Sequence, residues 1–539
     1  MGMERELKFS IDPLAAQQLP EHPILAQLAG PPRTRTLDSR YFDSADGLLA
    51  NAGMVLRLRQ TGPRRVLTVK TSGDGALGHA RGEWEWAAAG SGPVAADEAL
   101  APVDVQRALR ETPVRNLGLP ASTLLARLRP VLGTRFERMA WAIDWQGSRM
   151  ELALDRGACV ASRDGATLQA PISEIEIELI DGRWSHCWDL AWALAQDLPL
   201  RLSATNKAQR ASALRAGERP QAPGEPASLP PDTPLVQAAR LWLSSACAQL
   251  SVWAERIGTG DAARDVHQFR VTVRRLRTAL RWLQPWAKPR AMRWFEAEWR
   301  WTMQLAGLVR DADVGLQLLH DGASWQQPAP ELASSWSASL QAERQRQWGT
   351  LRTHLHSPRF GRLLLALGRW SETWPAGAST KAAAKLRHLT LGDLARHAIG
   401  QDHKHWRQTL AACRPTLEAL ARGDVTAVAQ PEAMTELHAF RIGSKRLRLS
   451  LERLGHALPD AEARRLQALR KTTEALQAVL GNWHDCQRLL ETGQRRQKLP
   501  DEFAQALATQ AQEALQQAWG LVQRHVAAGV MATAGRNRT

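Results

Sequence analysis

The sequence has little of what secreted, membrane-spanning or zinc-binding proteins need. Its 539 residues include five cysteines, which are scattered without a Cys-x-x-Cys pair. This spacing argues against a disulfide framework or a cysteine zinc site and favours a reducing compartment. No run of about 18 apolar residues is present, so we expect no membrane-spanning helix. The charged N-terminus lacks the apolar segment of a signal peptide, which predicts a cytoplasmic protein.

Positive charge is concentrated in the C-terminal part of the chain. Residues 1–219 carry 27 Lys and Arg against 26 Asp and Glu, whereas residues 220–539 carry 43 against 28. Such an excess favours a polyanionic partner: polyphosphate, nucleic acid or an acidic membrane surface. The alternative is a basic surface without a specific partner.

A proline-rich segment divides the chain. Six of the fifteen residues 220–234 are proline, which indicates a linker because proline continues neither a helix nor a sheet ladder. Before it, alternating apolar and polar residues predict strands, and after it, helical spacing of Ala, Leu, Arg, Gln and Glu predicts helices. The predicted fold class is therefore α+β multidomain. The predicted limits are a strand-rich domain at 1–215, a linker at 216–234 and a helical domain at 235–539.

The helical part contains an internal repeat. His267–Arg277 and His438–Arg448 share the pattern HxxRxxx[KR]RLR, and an Asp follows 44 and 47 residues after each histidine, at Asp311 and Asp485. The repeat predicts two related helical bundles, at about 235–400 and 401–530. On a helix the histidine and cations of each copy lie on one side. They form either a solvated face or a cradle for a long polyanion; a histidine metal site is a weaker alternative.

In the strand-rich part, charged residues recur at every second position of several strands and so share one face of each strand. In an ordinary half-buried strand, that face carries solvated polar residues. If the strands close into a barrel, alternate residues point inward. An interior lined by carboxylates and cations would bind a divalent cation and a chain of phosphates. The alternative is a water-facing sheet surface. The charged positions that share faces are Glu4, Glu6 and Lys8; Arg57 and Arg59; Glu83 and Glu85; and Glu174, Glu176 and Glu178.

These residues resemble the CYTH family, also called triphosphate tunnel metalloenzymes. Glu4-Arg5-Glu6-Leu7-Lys8 is similar to the ExExK signature of the family, and the later segments follow in the family's order. Those segments are Tyr41-Phe42-Asp43, Leu56–Arg59, Thr68–Lys70, Arg81–Glu85, Glu151–Gly157, Glu174–Glu178 and Ser203–Arg210. Ser44 stands where the family has Thr. The resemblance covers roughly residues 1–215. It implies an antiparallel eight-stranded tunnel with flanking helices that hydrolyses or cyclises a triphosphate with Mg²⁺ or Mn²⁺.

The resemblance also implies a role for each charged position. The implied metal ligands are Glu4, Glu6, Asp155 and members of the set Glu174, Glu176 and Glu178, among which the sequence does not choose. The implied phosphate-binding residues are Lys8, Arg57, Arg59, Lys70, Arg81, Arg135, Arg138, Lys207 and Arg210. The implied catalytic residues, which place a second metal or the attacking water, are Glu83, Glu85, Asp155 and Lys8.

The helical part resembles the CHAD domain over about residues 235–530. That family is associated with inorganic polyphosphate, so the resemblance implies a polyphosphate site. Its implied members are His267, Arg270, Arg274, Arg275, Arg277 and Arg310 in the first copy and His438, Arg441, Lys445, Arg446 and Arg448 in the second. His484 stands where the first copy has Arg310, which predicts weaker or pH-dependent binding there.

Together these features predict a metal-dependent enzyme that hydrolyses inorganic triphosphate to pyrophosphate and phosphate. A polyphosphate-binding helical domain would accompany it and associate it with polyphosphate granules. Neither a membrane nor nucleic acid is the expected partner. The alternatives are another triphosphate substrate, thiamine triphosphate or a nucleotide that is hydrolysed or cyclised, and a non-catalytic scaffold for polyphosphate or nucleic acid.

Overall fold

The computed structural model of the chain describes residues 2–71, 80–90, 94–95, 98–163, 165–321, 330–375, 384, 386–496 and 501–527. The chain forms two compact units. The first comprises Met1–Pro226, Arg240–Thr272 and Arg352–Trp374, and the second comprises Ala227–Ala239, Val273–Leu351 and Pro375–Thr539. No described helix is long and apolar enough to cross a membrane.

The first unit is built around an antiparallel barrel of eight long strands. The strands are β1 (Gly2–Ser10), β2 (Arg33–Asp43), β3 (Met54–Thr61), β4 (Arg64–Thr71), β5 (Ala80–Ala87), β6 (Arg129–Trp145), β7 (Ser148–Arg163) and β8 (Ala166–Asp181). Their order is β5-β4-β3-β2-β6-β7-β8-β1, and pairing of β5 with β1 closes the ring. The short strand β9 (Arg201–Leu202) adds to β1. The fold class predicted from the sequence, with its eight-stranded tunnel, is confirmed.

Alternation along the strands separates an apolar layer from a charged interior. Leu56, Leu58, Leu67 and Val69 are buried in a cluster with Val105 of helix α4 (Pro102–Glu111). The strand neighbours with the opposite orientation include Arg57, Arg59 and Lys70. Because side chains alternate across a strand, burial of the apolar set outside the barrel directs the charged set into it.

Helices of four to eleven residues flank the barrel. They are α1 (Pro13–Ala16), α2 (Pro23–Leu28), α3 (Leu48–Asn51), α4 (Pro102–Glu111), α5 (Ala121–Arg127), α6 (Trp184–Leu194) and α7 (Lys207–Ala216). Helix α7 begins with a capping box between Asn206 and Gln209 and ends at Gly217, whose φ of 69° suits glycine. It packs on β6, β7 and β8. The capping box therefore fixes where Lys207, the first residue of α7, enters the barrel.

The remaining helices form the C-terminal half of the chain. They are α8 (Leu235–Thr259), α9 (Ala263–Leu283), α10 (Pro289–Asp321), α11 (Pro330–Leu355), α12 (Pro358–Thr373), α13 (Leu391–Ala421), α14 (Pro431–Leu454), α15 (Asp460–Arg496) and α16 (Asp501–Ala527). The two HxxRxxx[KR]RLR segments lie on α9 and α14, and Asp311 and Asp485 lie on α10 and α15. Helix α12 packs on α6 and β9 within the first unit.

The compact units do not follow the predicted limit at residue 235. Residues 240–272 and 352–374 belong to the helical half by sequence, yet they pack in the same unit as the barrel. Gly361 of α12 shows how close this packing is, since a Cβ there would lie 2.2 Å from the carbonyl oxygen of Leu200. The domain limits 1–215 and 235–539 remain a prediction.

Candidate active site in the barrel

Three buried carboxylates converge inside the barrel. Asp155 of β7 is the register partner of Glu174 on β8, and Glu176 follows on the same face of β8. One oxygen atom of each lies within 4.8 Å of the others, and each side chain is buried. An all-oxygen donor set of this kind suits a hard divalent cation such as Mg²⁺ or Mn²⁺. The cross-strand register therefore builds a candidate metal site from Asp155, Glu174 and Glu176.

Basic side chains neutralise this carboxylate cluster. Lys207 Nζ lies 2.7 Å from Asp155 Oδ2 and 2.9 Å from Glu176 Oε1, and it also pairs with Glu174. Arg138 donates two hydrogen bonds of 2.7 Å to Asp155 and pairs with Glu176, while Arg210 pairs with Glu174. Buried carboxylates are tolerated only with such partners.

The charge states of the cluster follow from these contacts. Burial alone would raise the pKa of Glu176, but Lys207, Arg138 and Lys8 hold this pKa well below its usual value. Burial would lower the pKa of Lys207, yet Glu174, Glu176 and Asp155 raise it above its usual value. Glu176 and Lys207 are therefore both ionised at neutral pH.

A second group of charges lies on β3, β4 and β5. Lys70 Nζ lies 2.8 Å from Glu83 Oε1, and Arg57 Nη2 lies 3.3 Å from Glu85 Oε1 and 3.9 Å from Glu83. The Thr68 hydroxyl donates a 2.8 Å hydrogen bond to Glu85. Burial would raise the pKa of Glu85, but this hydrogen bond, Arg57 and Lys70 lower it. Glu85 is therefore an ionised acceptor at neutral pH.

Arg59 differs from the other cations of the barrel. Among the described residues it forms no ion pair, and its Nε atom is buried without a hydrogen-bond partner. Burial and the neighbouring Arg57 lower its pKa to about 10, which still leaves it charged at neutral pH. Tyr41 lies beside it: burial would raise the pKa of Tyr41, but Arg57 and Arg59 lower it. This corner of the barrel is electropositive and suits an anion.

The charged side chains surround a cavity of about 200 Å³. It adjoins a wider cavity of about 530 Å³, and both are lined by Glu6, Lys8, Tyr41 and Lys70. The wider cavity is otherwise lined mainly by small or uncharged residues, for example Ser44, Gly47, Ala50, Ser203 and Thr205. The barrel therefore holds a narrow charged chamber that opens into a wider, less charged one.

The structure brings most of the predicted barrel residues together. Those lining the charged cavity are Glu6, Lys8, Arg57, Arg59, Lys70, Glu83, Glu85, Arg138, Glu176, Glu178 and Lys207. Asp155, Glu174 and Arg210 join them through the ion pairs described above. The side chains of Glu4 and Arg81 lie outside the described residues, although their backbones pair across β1 and β5. Tyr41 was missed as a site residue, although its place in the Tyr41-Phe42-Asp43 segment was a usable signal.

Arg135 is not brought to the cavity. It is exposed and lies on the opposite face of β6 from Phe136 and Arg138, which face Lys207. Residues three apart on a strand point to opposite sides, so Arg135 and Arg138 cannot both face the interior. The expectation that Arg135 binds phosphate inside the barrel is therefore corrected: of these two residues only Arg138 faces the interior, and its phosphate-binding role stays a prediction.

In the second unit, the second copy of the repeat forms a compact basic group. The rings of His438 and His484 lie 5.5 Å apart. Burial lowers the pKa of His484 to about 3, with Arg441 and His438 as further causes, so His484 is neutral at pH 7. Arg488 Nη2 lies 2.8 Å from Asp311 Oδ2. Arg488 was missed from the sequence, although it follows His484 by four residues and so shares its helix face.

The other predicted polyphosphate residues lie on the same helices. Within the second unit, Arg277 has a pKa lowered by burial and also by Arg300 and Arg446, which places cations of both copies near one another. Arg275 lies 3.8 Å and Arg448 2.7 Å from carboxylate oxygens of Glu452. The remaining members are exposed or half-buried: His267, Arg270, Arg274, Arg310, His438, Arg441 and Lys445.

The chain is similar to several known proteins. A curated relative, the inorganic triphosphatase of Haemophilus influenzae, is 33% identical over 216 residues, which are 39% of this chain and 54% of that protein. The match thus spans about half the length of that relative. The crystal structure of the CHAD domain from Ricinus communis is similar at 24% identity and a TM-score of 0.41, covering 58% of this chain and 96% of that one. A Hippeastrum protein, described as a candidate adenylyl cyclase with a dominant triphosphatase activity, is similar at 20% identity and a TM-score of 0.28, covering 40% of this chain and 97% of that one.

Family models match two separate segments of the chain. Residues 2–212, which include the whole barrel, match the CYTH domain. Residues 242–494, which include both repeats, match the CHAD domain. The chain therefore carries a CYTH domain followed by a CHAD domain.

Proposed function

We propose that the barrel hydrolyses inorganic triphosphate to pyrophosphate and phosphate with Mg²⁺ or Mn²⁺, and that the helical region binds inorganic polyphosphate. The observation that carries the first part is Arg59, a half-buried cation that lines the charged cavity, with a buried Nε atom and no ion-pair partner among the described residues. A buried cation is costly unless an anion accompanies it. A triphosphate supplies that anion, and the relative named inorganic triphosphatase supports this substrate class.

The carboxylate cluster fits the metal. Asp155, Glu174 and Glu176 would hold the ion, with Glu4 and Glu6 as further candidates from β1. When bound, the ion neutralises phosphate charge and polarises the phosphorus–oxygen bonds. The convergence of Asp155 with Glu174 and Glu176 supports these two as the ligands on β8 rather than Glu178.

The remaining charged residues would bind and orient the substrate. Arg57, Arg59, Lys8 and Lys70 face the charged cavity, where their positive charges offset the negative charge that repels a nucleophile. Arg side chains suit phosphate oxygens because they donate in pairs. Because these groups are already held in place, they need little reorganisation during the reaction.

Glu83 and Glu85 would orient the attacking water. Glu85 is held by Thr68 and Arg57, and its lowered pKa makes it a hydrogen-bond acceptor but a weak base. An acceptor of this kind positions water without removing its proton early in the reaction. The water would lose its proton late in the reaction, to the Glu85 carboxylate or to an oxygen of the phosphate that is released, once its bond to phosphorus has formed and the bond to the leaving pyrophosphate has broken.

A second candidate substrate class is favoured by the wider cavity. Its volume of about 530 Å³ leaves room for an organic group beside the phosphate chain. Thiamine triphosphate and nucleotides, including cyclisation of a nucleotide, therefore belong in the same assay. Faster turnover of one of these than of inorganic triphosphate would reassign the substrate but keep the barrel chemistry.

The decisive experiment measures phosphate release from inorganic triphosphate, ATP, thiamine triphosphate and long polyphosphate, with Mg²⁺, with Mn²⁺ and with EDTA. We expect chelator-sensitive turnover of inorganic triphosphate that Arg59→Ala reduces at least about 100-fold, since one preorganised charged donor contributes about 2.7–4 kcal/mol. Arg156→Ala is the matched control, because Arg156 neighbours Asp155 but is exposed and pairs with Glu137. No release from any substrate by folded wild-type protein would exclude the hydrolase.

The helical part of the proposal needs its own measurement. Polyphosphate binding to the full chain should fall when Arg441 and Lys445 are both replaced by Ala, and the dissociation constant should depend steeply on salt. Equal binding by the double variant would exclude the second repeat as the site. Tighter binding of DNA or RNA than of polyphosphate of equal charge would instead indicate a nucleic-acid scaffold. Association with polyphosphate granules in cells is part of the same proposal.

A further inference from the structure

A buried cluster joins the end of helix α7 to helices α8 and α9 within the first unit. Asp265 near the start of α9 has an accessible fraction of 0%. Its Oδ1 accepts a 3.0 Å hydrogen bond from Arg256 Nε, and its Oδ2 lies 2.8 Å from Arg219 Nη2. A carboxylate buried between two guanidinium groups fixes all three side chains, because removing one leaves an uncompensated charge.

The same guanidinium groups hold the backbone that follows α7. Arg256 Nη1 donates to the carbonyl of Pro220 at 3.1 Å, and Arg219 Nη1 donates to the carbonyl of Arg256 at 3.0 Å. Gly260 leaves space for this arrangement, since a Cβ there would lie 2.3 Å from Arg219 Nη1. We call Asp265, Arg219 and Arg256 the clamp.

Helix α7 connects the clamp to the carboxylate cluster. It is only ten residues long, Lys207–Ala216, and its end is closed by hydrogen bonds from Gly217 and Glu218 to Leu214 and Ala213. Its first turn carries Lys207 and Arg210, which pair with Asp155, Glu174 and Glu176. A short rigid helix transmits a displacement of its end to its first turn, about 15 Å away at 1.5 Å per residue.

We propose that the clamp residues Asp265, Arg219 and Arg256 are positioning residues for the barrel, which hold α7 so that Lys207 and Arg210 set the spacing of the metal-binding carboxylates. The inference rests on the proposed function, because it concerns the same candidate metal site. Residues of the CHAD segment thereby contribute to the affinity of the CYTH barrel for its ion. Ligand orientation by outer residues typically changes metal affinity by about 10- to 100-fold, and the clamp acts one step further out.

The test measures Mn²⁺ binding to the full-length chain by electron paramagnetic resonance of free Mn²⁺, without substrate. We expect Asp265→Asn and Arg219→Ala to change the Mn²⁺ dissociation constant by about three- to tenfold. Arg219→Lys retains a charge for Asp265 and should recover most of the wild-type value. The Mn²⁺ concentration for half-maximal turnover should shift in parallel, whereas kcat at saturating Mn²⁺ should change less.

Asp402→Asn is the matched control. Asp402 is also a buried carboxylate held by an arginine, with Arg281 Nη1 and Nη2 at 2.5 and 2.9 Å, but it lies in the second unit. The Asp402→Asn variant should have a lower melting temperature than the wild type and the same Mn²⁺ affinity. If Asp265→Asn does not fold, Arg219→Ala decides the question, because the Arg219 side chain is 34% exposed.

The outcomes separate the two proposals. Unchanged Mn²⁺ affinity in folded Asp265→Asn or Arg219→Ala would overturn the clamp and leave the proposed function intact. A shift in Asp402→Asn equal to that in the clamp variants would also overturn it, since the effect would then be general destabilisation. Absence of Mn²⁺ binding to the wild-type chain would overturn the metal site itself.

Discussion

Replacing Lys207 by methionine tests the carboxylate cluster directly. Lys207 Nζ is the one atom that contacts Asp155, Glu174 and Glu176 together within the described part of the chain. Methionine keeps much of the length of the side chain and removes its charge together with its N–H donors. The variant therefore leaves three buried carboxylates with Arg138, Arg210 and Lys8 as their nearby cations.

The magnitude follows from the burial of this group. Removing one partner of a buried ion pair costs about 3–5 kcal/mol, and Lys207 is 8% exposed. A divalent cation would take the place of the ammonium group and restore stability. At 100 times its dissociation constant a bound ion returns about 2.7 kcal/mol. In the proposed metal site, Lys207 Nζ would compete with the ion for the same carboxylates, so Mn²⁺ should stabilise the variant more than the wild type.

The assay is thermal unfolding with EDTA and with Mn²⁺, followed for the transition of the first unit. In EDTA we expect Lys207→Met to lower its midpoint by at least about 6 °C. Mn²⁺ should raise the midpoint of Lys207→Met by more than it raises the midpoint of the wild type. Arg156→Ala should change either midpoint little, because exposed ion pairs contribute at most about 1 kcal/mol. Equal Mn²⁺ shifts in Lys207→Met and wild type would refute the carboxylate site.

Two further predictions concern the second repeat and the barrel wall. The pKa of His484 is about 3 in the fold and near 6.5 unfolded, so only the unfolded chain takes up this proton between those values. The free energy of unfolding of the second unit should therefore fall as the pH drops from about 6.5 towards 3. Denaturant titrations at each pH should show a smaller fall for His484→Gln than for the wild type. Parallel curves for the two proteins would contradict this. Gly157→Ala should lower the free energy of unfolding by about 3 kcal/mol or more, or prevent soluble expression, because its Cβ would lie 2.2 Å from the Arg135 carbonyl oxygen. In the same thermal assay, a midpoint within 1 °C of the wild type would show that the strands can separate there.

The period of the barrel strands made most of its interior predictable. Alternation in Glu174-Ile175-Glu176-Ile177-Glu178 determines which residues share a face without any knowledge of the partner strands. It does not show which of Glu174, Glu176 and Glu178 lie near Asp155, because that depends on the register between β8 and β7. The expectation that Arg135 and Arg138 both face the interior was wrong for a simpler reason. They lie three residues apart on one strand, and this spacing already excluded a common face.

The clamp was beyond prediction from one sequence. Asp265 and Arg219 lie 46 residues apart on either side of the proline-rich segment, and neither belongs to a periodic pattern. The sequence boundary at the linker suggested that residues after it pack with the helical half. Contacts of Asp265 with Arg219 and Arg256 instead tie the first turn of α9 to the barrel unit. A long-range buried ion pair is visible only once the chain is folded.

The distribution of charge inside the barrel links its stability to its proposed activity. The carboxylates Asp155, Glu174 and Glu176 are each paired with cations, so this side of the barrel is balanced before any ligand is considered. Arg59 lies on another side, beside Arg57, and its lowered pKa reports the cost of its burial. Proteins retain an unfavourably placed charge of this kind where the charge takes part in function. A phosphate chain that pairs with Arg59 would offset it, so the proposed substrate would supply the anion that this cation lacks among the described residues.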